Sequence, residues 1–330
     1  MKYLAGVLLL FAGVACSTPQ AETEPLIVKV AVINFDPVVG DSTLHQRFGW
    51  QNPKALAEEY QAAISEISHN RVRLDIVSWQ DESVFPIKTD GFVYSLEEFE
   101  QCWETRTTCH DPDGIDYLAM FSNYNIAQRI DAGEMDEVWI FGAPYMGFWE
   151  SSMAGPGAFY INGGVFEEVE VSKPFAIMGF SYERRLAEMI HNLCHRTEAT
   201  MEKVSGGWDT TDLSTDWAKF AANAHQSNGV AAVGSCHYPP NGVEDYDYDN
   251  LSTVWSSASA WMDYPHLEEK ADSINADTWG GPEYHLNYMK WWFSHLPHAS
   301  GPSETGLLSN WWAYIFHFQE NVIETANDLP

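Results

Sequence analysis

Apolar runs alternate with amphipathic segments between residues 27 and 201. β-Branched and aromatic runs bounded by turn residues predict buried strands, and apolar residues at helical spacing predict helices between them. The predicted strands cover residues 27–35, 71–79, 136–142, 158–161 and 175–180. The predicted helices cover residues 54–69, 96–103, 117–132 and 182–201. This alternation predicts an α/β domain with a mainly parallel, layered sheet.

The composition of the chain changes after residue 204. Trp, Tyr, His, Pro and Gly become frequent and helical stretches become short, so we expect residues 206–330 to form a helical, loop-rich half packed on the α/β domain of residues 27–205. The late tryptophans are Trp255, Trp261, Trp279, Trp291, Trp292, Trp311 and Trp312. Most of them should fill the core, because indole is large and apolar; a glycan-binding groove of aromatic platforms is the alternative.

The N-terminal residues are typical of an export signal. Lys2 precedes an apolar run over residues 4–11, and small residues lead to Cys16. The stretch Gly-Val-Ala-Cys resembles a bacterial lipoprotein signal, in which Cys16 becomes the lipidated first residue. We expect residues 1–15 to be a signal peptide and residues 16–26 a tether. The protein would then be an outer-membrane or cell-surface lipoprotein, held to the membrane by its lipid only. Ordinary cleavage near Ala15, giving a periplasmic or secreted protein, is the alternative.

The charge of the chain narrows the classes of partner. Its 330 residues include 17 Lys and Arg against 47 Asp and Glu, a formal net charge of −30. Such a surface repels phosphate backbones and excludes nucleic acid as a natural partner. Hydrophobic residues make up 45% of the chain, which argues against disorder. Peptides, neutral or cationic glycans, small molecules and metal ions are the remaining classes.

The cysteines predict disulfides. Four remain when Cys16 is set aside, and an even number in an exported chain favours pairing. Cys102 and Cys109 are close neighbours, which leaves Cys194 to join Cys236. Sequence alone allows three connectivities, and a buried free thiol at Cys194 is a further alternative.

One predicted helix carries a face of chemically active side chains. Residues at i, i+3, i+7 and i+10 share a face, and here they are Glu188, His191, His195 and Glu198. Two histidines at i and i+4 direct ring nitrogens at one point, as tetrahedral zinc requires. Glu198 could be another ligand or orient a histidine, and Glu188 could hold or activate a bound water. A solvated polar helix face is the alternative.

This order of strands and helices is similar to the catalytic domain of zincin metallopeptidases. The resemblance covers residues 27–201, and its one sharp motif is the H-N-L-C-H run that begins at His191. Residues 157–164 fall where that family places its substrate-binding edge strand. The resemblance implies zinc-ligand roles for His191 and His195 and cleavage of peptide bonds. Asn192 stands where zincins have a general-base glutamate, and an amide cannot accept a proton from water.

A second segment bears on the same site. If Cys194 is bonded to Cys236, His195 and His237 are drawn close, because the Cα atoms of bridged cysteines lie about 5.5–6 Å apart. His237 then becomes a candidate third ligand or transition-state donor, with Tyr238 beside it as a candidate catalytic residue. The alternative is that this Cys-His-Tyr-Pro-Pro segment is only a rigid turn.

Other segments suggest ligand contacts. Loops that follow the carboxyl ends of parallel strands line ligand clefts, so Tyr145, Trp149 and Glu150 are candidate substrate-binding residues. Phe159 is a further candidate, in the predicted edge strand. The alternating carboxylates Asp245, Asp247 and Asp249 have the spacing of calcium ligands. An acidic surface loop is the alternative there.

These observations together predict an exported metal-dependent hydrolase that uses zinc and acts on an extracellular polymer, peptide before glycan. Two alternatives remain open. One is a glycan-binding lipoprotein without turnover. The other is a metal-free glycoside hydrolase in which Glu150 and a carboxylate of the histidine helix form the acid–base pair. The stretch of residues 139–198 also resembles a group of uncharacterised secreted bacterial proteins, a likeness that assigns no chemistry.

Overall fold

A computed structural model describes residues 24–318 of the chain. The predicted signal peptide, the lipidation site at Cys16 and most of the predicted tether lie outside the described residues. Within residues 24–318, no helix combines the length and the apolar character needed to span a bilayer.

The described residues form a mixed α/β structure. The strands are β1 (Leu26–Phe35), β2 (Val38–Val39), β3 (Ser42–Thr43), β4 (Val72–Glu82), β5 (Glu137–Gly142), β6 (Ser151–Ala154), β7 (Val165–Phe166), β8 (Phe175–Ser181), β9 (Val254–Ser256), β10 (Asp272–Ile274), β11 (His298–Pro302) and β12 (Leu308–Asn310). The α-helices are α1 (Leu44–Phe48), α2 (Pro53–Ile67), α3 (Leu96–Thr105), α4 (Tyr117–Asn123), α5 (Ile126–Asp131), α6 (Leu186–Ser205), α7 (Asp216–Phe220), α8 (Tyr284–Ser294) and α9 (Trp312–Phe316).

The main sheet is mostly parallel, which confirms the predicted fold class. Its six strands lie in the order β4-β1-β5-β8-β6-β7. β1 pairs in parallel with β4 and β5, and β5 pairs in parallel with β8. β6 is antiparallel to β8 and β7 is parallel to β6. Every residue of β5 is buried, which explains why a central strand reads as a continuous apolar run and not as an alternating one.

The strand predicted at residues 158–161 is wrong. These residues lie in the loop between β6 and β7, and the antiparallel strand is Ser151–Ala154. Gly155 and Gly157 both have positive φ angles, a conformation that ends extended pairing at this point. The end of this loop and β7 occupy the outer edge of β6. There the Ser151 hydroxyl donates to the Ile161 carbonyl oxygen and the Met153 amide donates to the Gly164 carbonyl oxygen.

The C-terminal half shares a core with the sheet. Buried side chains from both halves belong to one hydrophobic cluster, in which Leu193 of α6 and Trp292 of α8 are members. Most of the late tryptophans are buried, as predicted, and Trp311 and Trp312 are fully enclosed. Trp255 is the clear exception, with 72% of its surface exposed. This half also contains two small two-stranded sheets, β9–β10 and β11–β12, which the sequence analysis did not predict.

Arg196 links the histidine helix, α6, to strand β5 and helix α9. Its guanidinium donates to Glu137 Oε2 at 2.8 Å and to the Ile315 carbonyl oxygen at 2.8 Å, and both charged side chains are 3% exposed. Breaking a buried pair by removing one partner leaves the other charge uncompensated. We expect Arg196→Met to lower the free energy of unfolding by about 3–5 kcal/mol. Urea denaturation measures this, with the exposed Arg184→Met as control; equal effects of the two changes would contradict the role of the pair.

Candidate metal centre

Three histidine nitrogens converge on one point above the sheet. Nε2 of His191 lies 3.0 Å from Nε2 of His195 and 3.2 Å from Nε2 of His237. The third side of the triangle, between His195 and His237, is also 3.2 Å. Among the described residues, these histidines form one of two groups whose ligand atoms are close enough to share a metal ion. The other group is Cys194, Glu198 and Cys236, whose two sulfur atoms are joined in a disulfide.

The histidine triangle fits zinc. Imidazole nitrogens bind zinc at about 2.0–2.1 Å, and tetrahedral angles then separate the ligand nitrogens by about 3.3 Å. The observed separations of 3.0–3.2 Å are close to that value. The two helix histidines come from i and i+4, and His237 joins them from a separate loop. Three protein nitrogens leave a fourth tetrahedral position open.

The outer nitrogens of the rings determine where the lone pairs point. Nδ1 of His195 lies 3.3 Å from Glu198 Oε2, and Nδ1 of His237 lies 3.5 Å from Asp245 Oδ1. A carboxylate accepts hydrogen bonds, so in each neutral ring Nδ1 carries the proton and Nε2 carries the lone pair. These two lone pairs face each other across 3.2 Å. That contact is favourable only when a cation lies between the two nitrogens or when one of the two rings is protonated and donates to the other.

Each of the three histidines therefore has an orienting partner. The partner of His191 is His285, whose Nε2 lies 3.1 Å from His191 Nδ1. His285 is itself stacked on Tyr248, with ring centroids 5.0 Å apart. Orienting partners of this kind fix ring position and tautomer around metal ions.

The loop that carries His237 is anchored at several points. Cys194 is bonded to Cys236, as predicted, with the Cα atoms 5.8 Å apart. The Cys236 amide donates to Glu198 Oε1 at 2.8 Å, and its carbonyl oxygen accepts from the Tyr248 hydroxyl at 2.6 Å. The other predicted disulfide, Cys102–Cys109, is also present. The disulfide thus brings residues 195 and 237 together as the sequence analysis proposed.

The triangle borders an open cleft of about 540 Å³, called here the main cleft. It is lined by His191, Asn192, Tyr145, Glu150, Glu188 and Tyr246, among others. Gly142 ends β5 and Ser181 ends β8, so the cleft lies beyond the carboxyl ends of two central parallel strands. A second opening of about 660 Å³, the side cleft, lies across the helix and is lined by His195, Phe159, Asn162 and Trp208.

Comparison with known proteins adds no family to this description. The chain matches no protein-family model, no curated protein and no solved structure at a significant level.

The predicted carboxylates of the helix lie at the edges of the site. Glu198 directs one oxygen at His195 and the other at the Cys236 amide, so it stands behind the histidine triangle and orients it. Glu188 caps the start of α6, where Oε2 accepts from the Arg185 amide at 3.3 Å and Oε1 lies 3.8 Å from the guanidinium of Arg184. Its side chain also lines the main cleft.

The other predicted site residues are divided between several places. Tyr145 and Glu150 line the main cleft, and Phe159 lines the side cleft. Trp149 is 52% exposed and its backbone amide is held by the Tyr117 hydroxyl at 2.9 Å. Tyr238 lies next to Asp245. Loss of solvation raises the pKa of the Tyr238 phenol, and the charge and hydrogen bond of Asp245 raise it further.

The predicted calcium ligands are not brought together. Asp245 faces His237, whereas Asp247 accepts hydrogen bonds from the Val243 amide at 2.9 Å and from the Asn250 side chain at 2.7 Å. Asp249 lines a third opening near Tyr248. Neither candidate metal group of the described residues includes these aspartates. The calcium site stays a prediction, and of these three aspartates Asp245 is the one that lies beside the histidine triangle.

The sequence did not predict that Tyr246 packs against the histidine triangle. Its ring lies 4.4 Å from that of His237 and 5.8 Å from that of His191, between centroids. Its φ angle is +63°, a left-handed conformation that costs energy for a residue other than glycine. Its backbone amide donates to the His237 carbonyl oxygen at 2.9 Å, which holds this conformation. The acidic residues around Tyr246 have the spacing of calcium ligands, and no pattern in the sequence indicates a role for the phenol.

A buried lysine shapes the far wall of the main cleft. Lys88 is fully enclosed, and its Nζ donates to Asp113 Oδ1 at 2.5 Å and to the Tyr145 carbonyl oxygen at 2.6 Å. Burial lowers the pKa of Lys88, although the charge of Asp113 acts in the opposite direction. Lys88 thus ties together two loops that line the cleft. No pattern in the sequence around Lys88 indicates this role.

The electrostatics of the triangle favour neutral rings. Burial, followed by the neighbouring histidines, lowers the pKa of His191 to about 2. Burial also lowers the pKa values of His237 and His285. His195 is the exception: burial lowers its pKa, but the hydrogen bond and charge of Glu198 outweigh burial and raise the value. Neutral imidazole is the form that binds metal ions.

This arrangement predicts how the stability of the metal-free protein depends on pH. Groups with a lowered pKa in the folded state give stability that is present above their unfolded pKa, about 6.5 for histidine, and is lost as the pH falls. His195, with a raised pKa, opposes this trend alone. We expect the melting temperature of the metal-free protein to fall between about pH 7 and about pH 5. His191→Gln should have a smaller slope in the same melts, and an unchanged slope would contradict the role of His191.

Proposed function

We propose that this protein is a zinc-dependent hydrolase acting on an extracellular polymer, with peptide bonds as the first candidate. The observation that carries the proposal is the convergence of three Nε2 atoms, from His191, His195 and His237, at separations of 3.0–3.2 Å. Each ring also has a partner on its far side: His285 for His191, Glu198 for His195 and Asp245 for His237. A solvated helix face would not bring in a third histidine from a distant loop.

Zinc bound at this triangle would supply a water of lowered pKa and polarise a scissile carbonyl group. The residues of the chain supply the rest of the site. Glu198 and Asp245 hold the proton on the outer nitrogens of His195 and His237. The main cleft admits a polymer segment beside His191, and Tyr246 forms part of its wall.

The zincin-like interpretation is part of this proposal. Two features support it: an antiparallel strand, β6, lies beside β8, and the histidine helix α6 directly follows β8. The outer edge of β6 is occupied by β7 and by residues 161–164 of the loop before it, so we propose that substrate is held mainly by the cleft and not by strand pairing along β6.

The proposed location is outside the cytoplasm. The two disulfides support it, because disulfides persist in oxidising compartments. Attachment through a lipid on Cys16 remains the proposed link to a membrane.

A metal-free glycoside hydrolase is the second candidate. Glu150 and Glu188 both line the main cleft, as an acid–base pair would. The glycan-binding alternative has less support, because most of the late tryptophans are buried in the core and cannot form a platform.

Metal analysis and a substrate screen separate these proposals. We expect the purified protein, dialysed against zinc, to retain one zinc ion per chain and to cleave fluorescein-labelled casein. A chelator should abolish cleavage and added zinc should restore it. Cleavage of polysaccharide that persists without metal would instead support the glycoside hydrolase, and absence of bound zinc would contradict the leading proposal.

A further inference from the structure

The histidine helix has no base at the position where a water-activating carboxylate would be expected. Asn192 lies between the two helix histidines, and its side-chain amide donates to the Gly179 carbonyl oxygen at 2.8 Å. The residue is 8% exposed and is therefore fixed in one orientation. An amide in this position cannot take a proton from water, so the base must come from elsewhere in the cleft.

Gly179 connects Asn192 to the opposite wall of the cleft. Its carbonyl oxygen accepts from Asn192, and its own amide donates to the Glu150 carbonyl oxygen at 3.0 Å. The backbones at residues 179 and 149 approach each other very closely: a Cβ atom on residue 179 would lie 2.2 Å from the Trp149 carbonyl oxygen. Only glycine permits this approach. The helix, β8 and the backbone of Glu150 are therefore locked together through one residue.

Glu150 is exposed on that wall of the cleft. It lines the main cleft together with His191. Its carboxylate accepts a hydrogen bond from Asn162, which lines the side cleft together with His195. Glu150 thus stands between the two openings that flank the triangle.

Glu188, the other carboxylate of the main cleft, makes different contacts. Both oxygens of Glu188 are directed at the N-terminus of α6, towards the Arg185 amide and the guanidinium of Arg184. The carboxylate of Glu188 is therefore committed to capping the helix and to pairing with arginine. Glu150 has a neutral amide as its hydrogen-bond partner instead.

We propose that Glu150 is the catalytic base of this site and that Asn192 is the positioning residue that holds it in place through Gly179. The inference rests on the proposed zinc-dependent hydrolysis. In the reaction, the water oxygen bonds to the carbonyl carbon while one of its protons passes to the Glu150 carboxylate. Glu150 then returns that proton to the amide nitrogen as the carbon–nitrogen bond breaks. The sum is one peptide and one water giving an acid and an amine.

Cobalt(II) substitution tests the position of Glu150 without relying on a known substrate. The visible spectrum of bound cobalt reports the ionisation of a water at the metal. Glu150 favours the protonated water, through its charge and as a hydrogen-bond acceptor. Glu150→Gln should therefore lower the midpoint of the spectral titration by about one pH unit or more. Asn192→Leu should move the midpoint in the same direction, which a purely structural role would not do.

Glu188→Gln is the matched comparison, since it makes the same change in the other carboxylate of the cleft. The inference is overturned if Glu150→Gln leaves the midpoint unchanged, if Glu188→Gln shifts it more, or if bound cobalt has the same spectrum at every pH. Failure of the protein to bind cobalt or zinc would contradict the proposed function itself. On casein, Glu150→Gln should reduce kcat by about 100-fold or more with little change in KM.

Discussion

Replacing His237 with alanine is expected to lower the affinity for zinc by more than about 100-fold. The reason is that His237 supplies one of the three converging nitrogens, 3.2 Å from each of the other two. Loss of an orienting partner alone costs about 10- to 100-fold in metal affinity, and loss of a ligand costs more. Competition with a chromophoric chelator measures the affinity.

Two further variants make the result specific. Glu198→Gln should reduce zinc affinity by only about 10- to 100-fold, because Glu198 orients His195 and does not share the triangle. His266→Ala, at an exposed histidine, should leave the affinity unchanged. A larger loss in Glu198→Gln than in His237→Ala would show that the carboxylate is the third ligand, which was one of the alternatives left open by the sequence.

Removing the Cys194–Cys236 disulfide is expected to weaken zinc binding and folding together. The bond joins residues 42 apart in sequence and lies directly beside His195 and His237. Chain-entropy estimates for a loop of that size give about 4 kcal/mol of stabilisation. The double variant Cys194→Ala/Cys236→Ala should lose about that much stability in urea, and zinc affinity should fall by about 10- to 100-fold because His237 is no longer held in place.

The second disulfide provides the control. Cys102 and Cys109 are 7 residues apart, and their removal should cost about 2.5 kcal/mol of stability on the same estimate. Zinc affinity should not change, because neither cysteine borders the histidine triangle. If both double variants lose zinc affinity equally, the disulfide at Cys236 is not what positions His237.

Much of the fold follows from hydrophobic periodicity. β5 and the second half of β1 are buried on both faces and therefore appear as mainly apolar runs, and α2 and α6 have apolar faces at helical spacing. The antiparallel strand β6 was missed because Ser-Ser-Met-Ala has little strand propensity. Its pairing comes from the tertiary position beside β8 and not from local preference.

The site was predictable only where local spacing or a covalent link determines it. His191 and His195 follow from i, i+4 geometry, and His237 follows from the pairing of its neighbour Cys236. Neither local spacing nor a covalent link predicts the position of His285, which reaches His191 through the packing of α8. The path from Asn192 through Gly179 to Glu150 combines one bond from a side chain to a backbone carbonyl with one bond between backbones, and neither can be read from a spacing in the sequence.

X-ray absorption of the zinc-loaded protein tests the histidine triangle most directly. We expect a first shell of nitrogen and oxygen atoms at about 2.0–2.1 Å, with the outer-shell scattering of three imidazole rings and no sulfur. A sulfur shell at about 2.3 Å would place the ion at Cys194 and Cys236 instead, and a protein that takes up no zinc would leave the three histidines without the role given to them here.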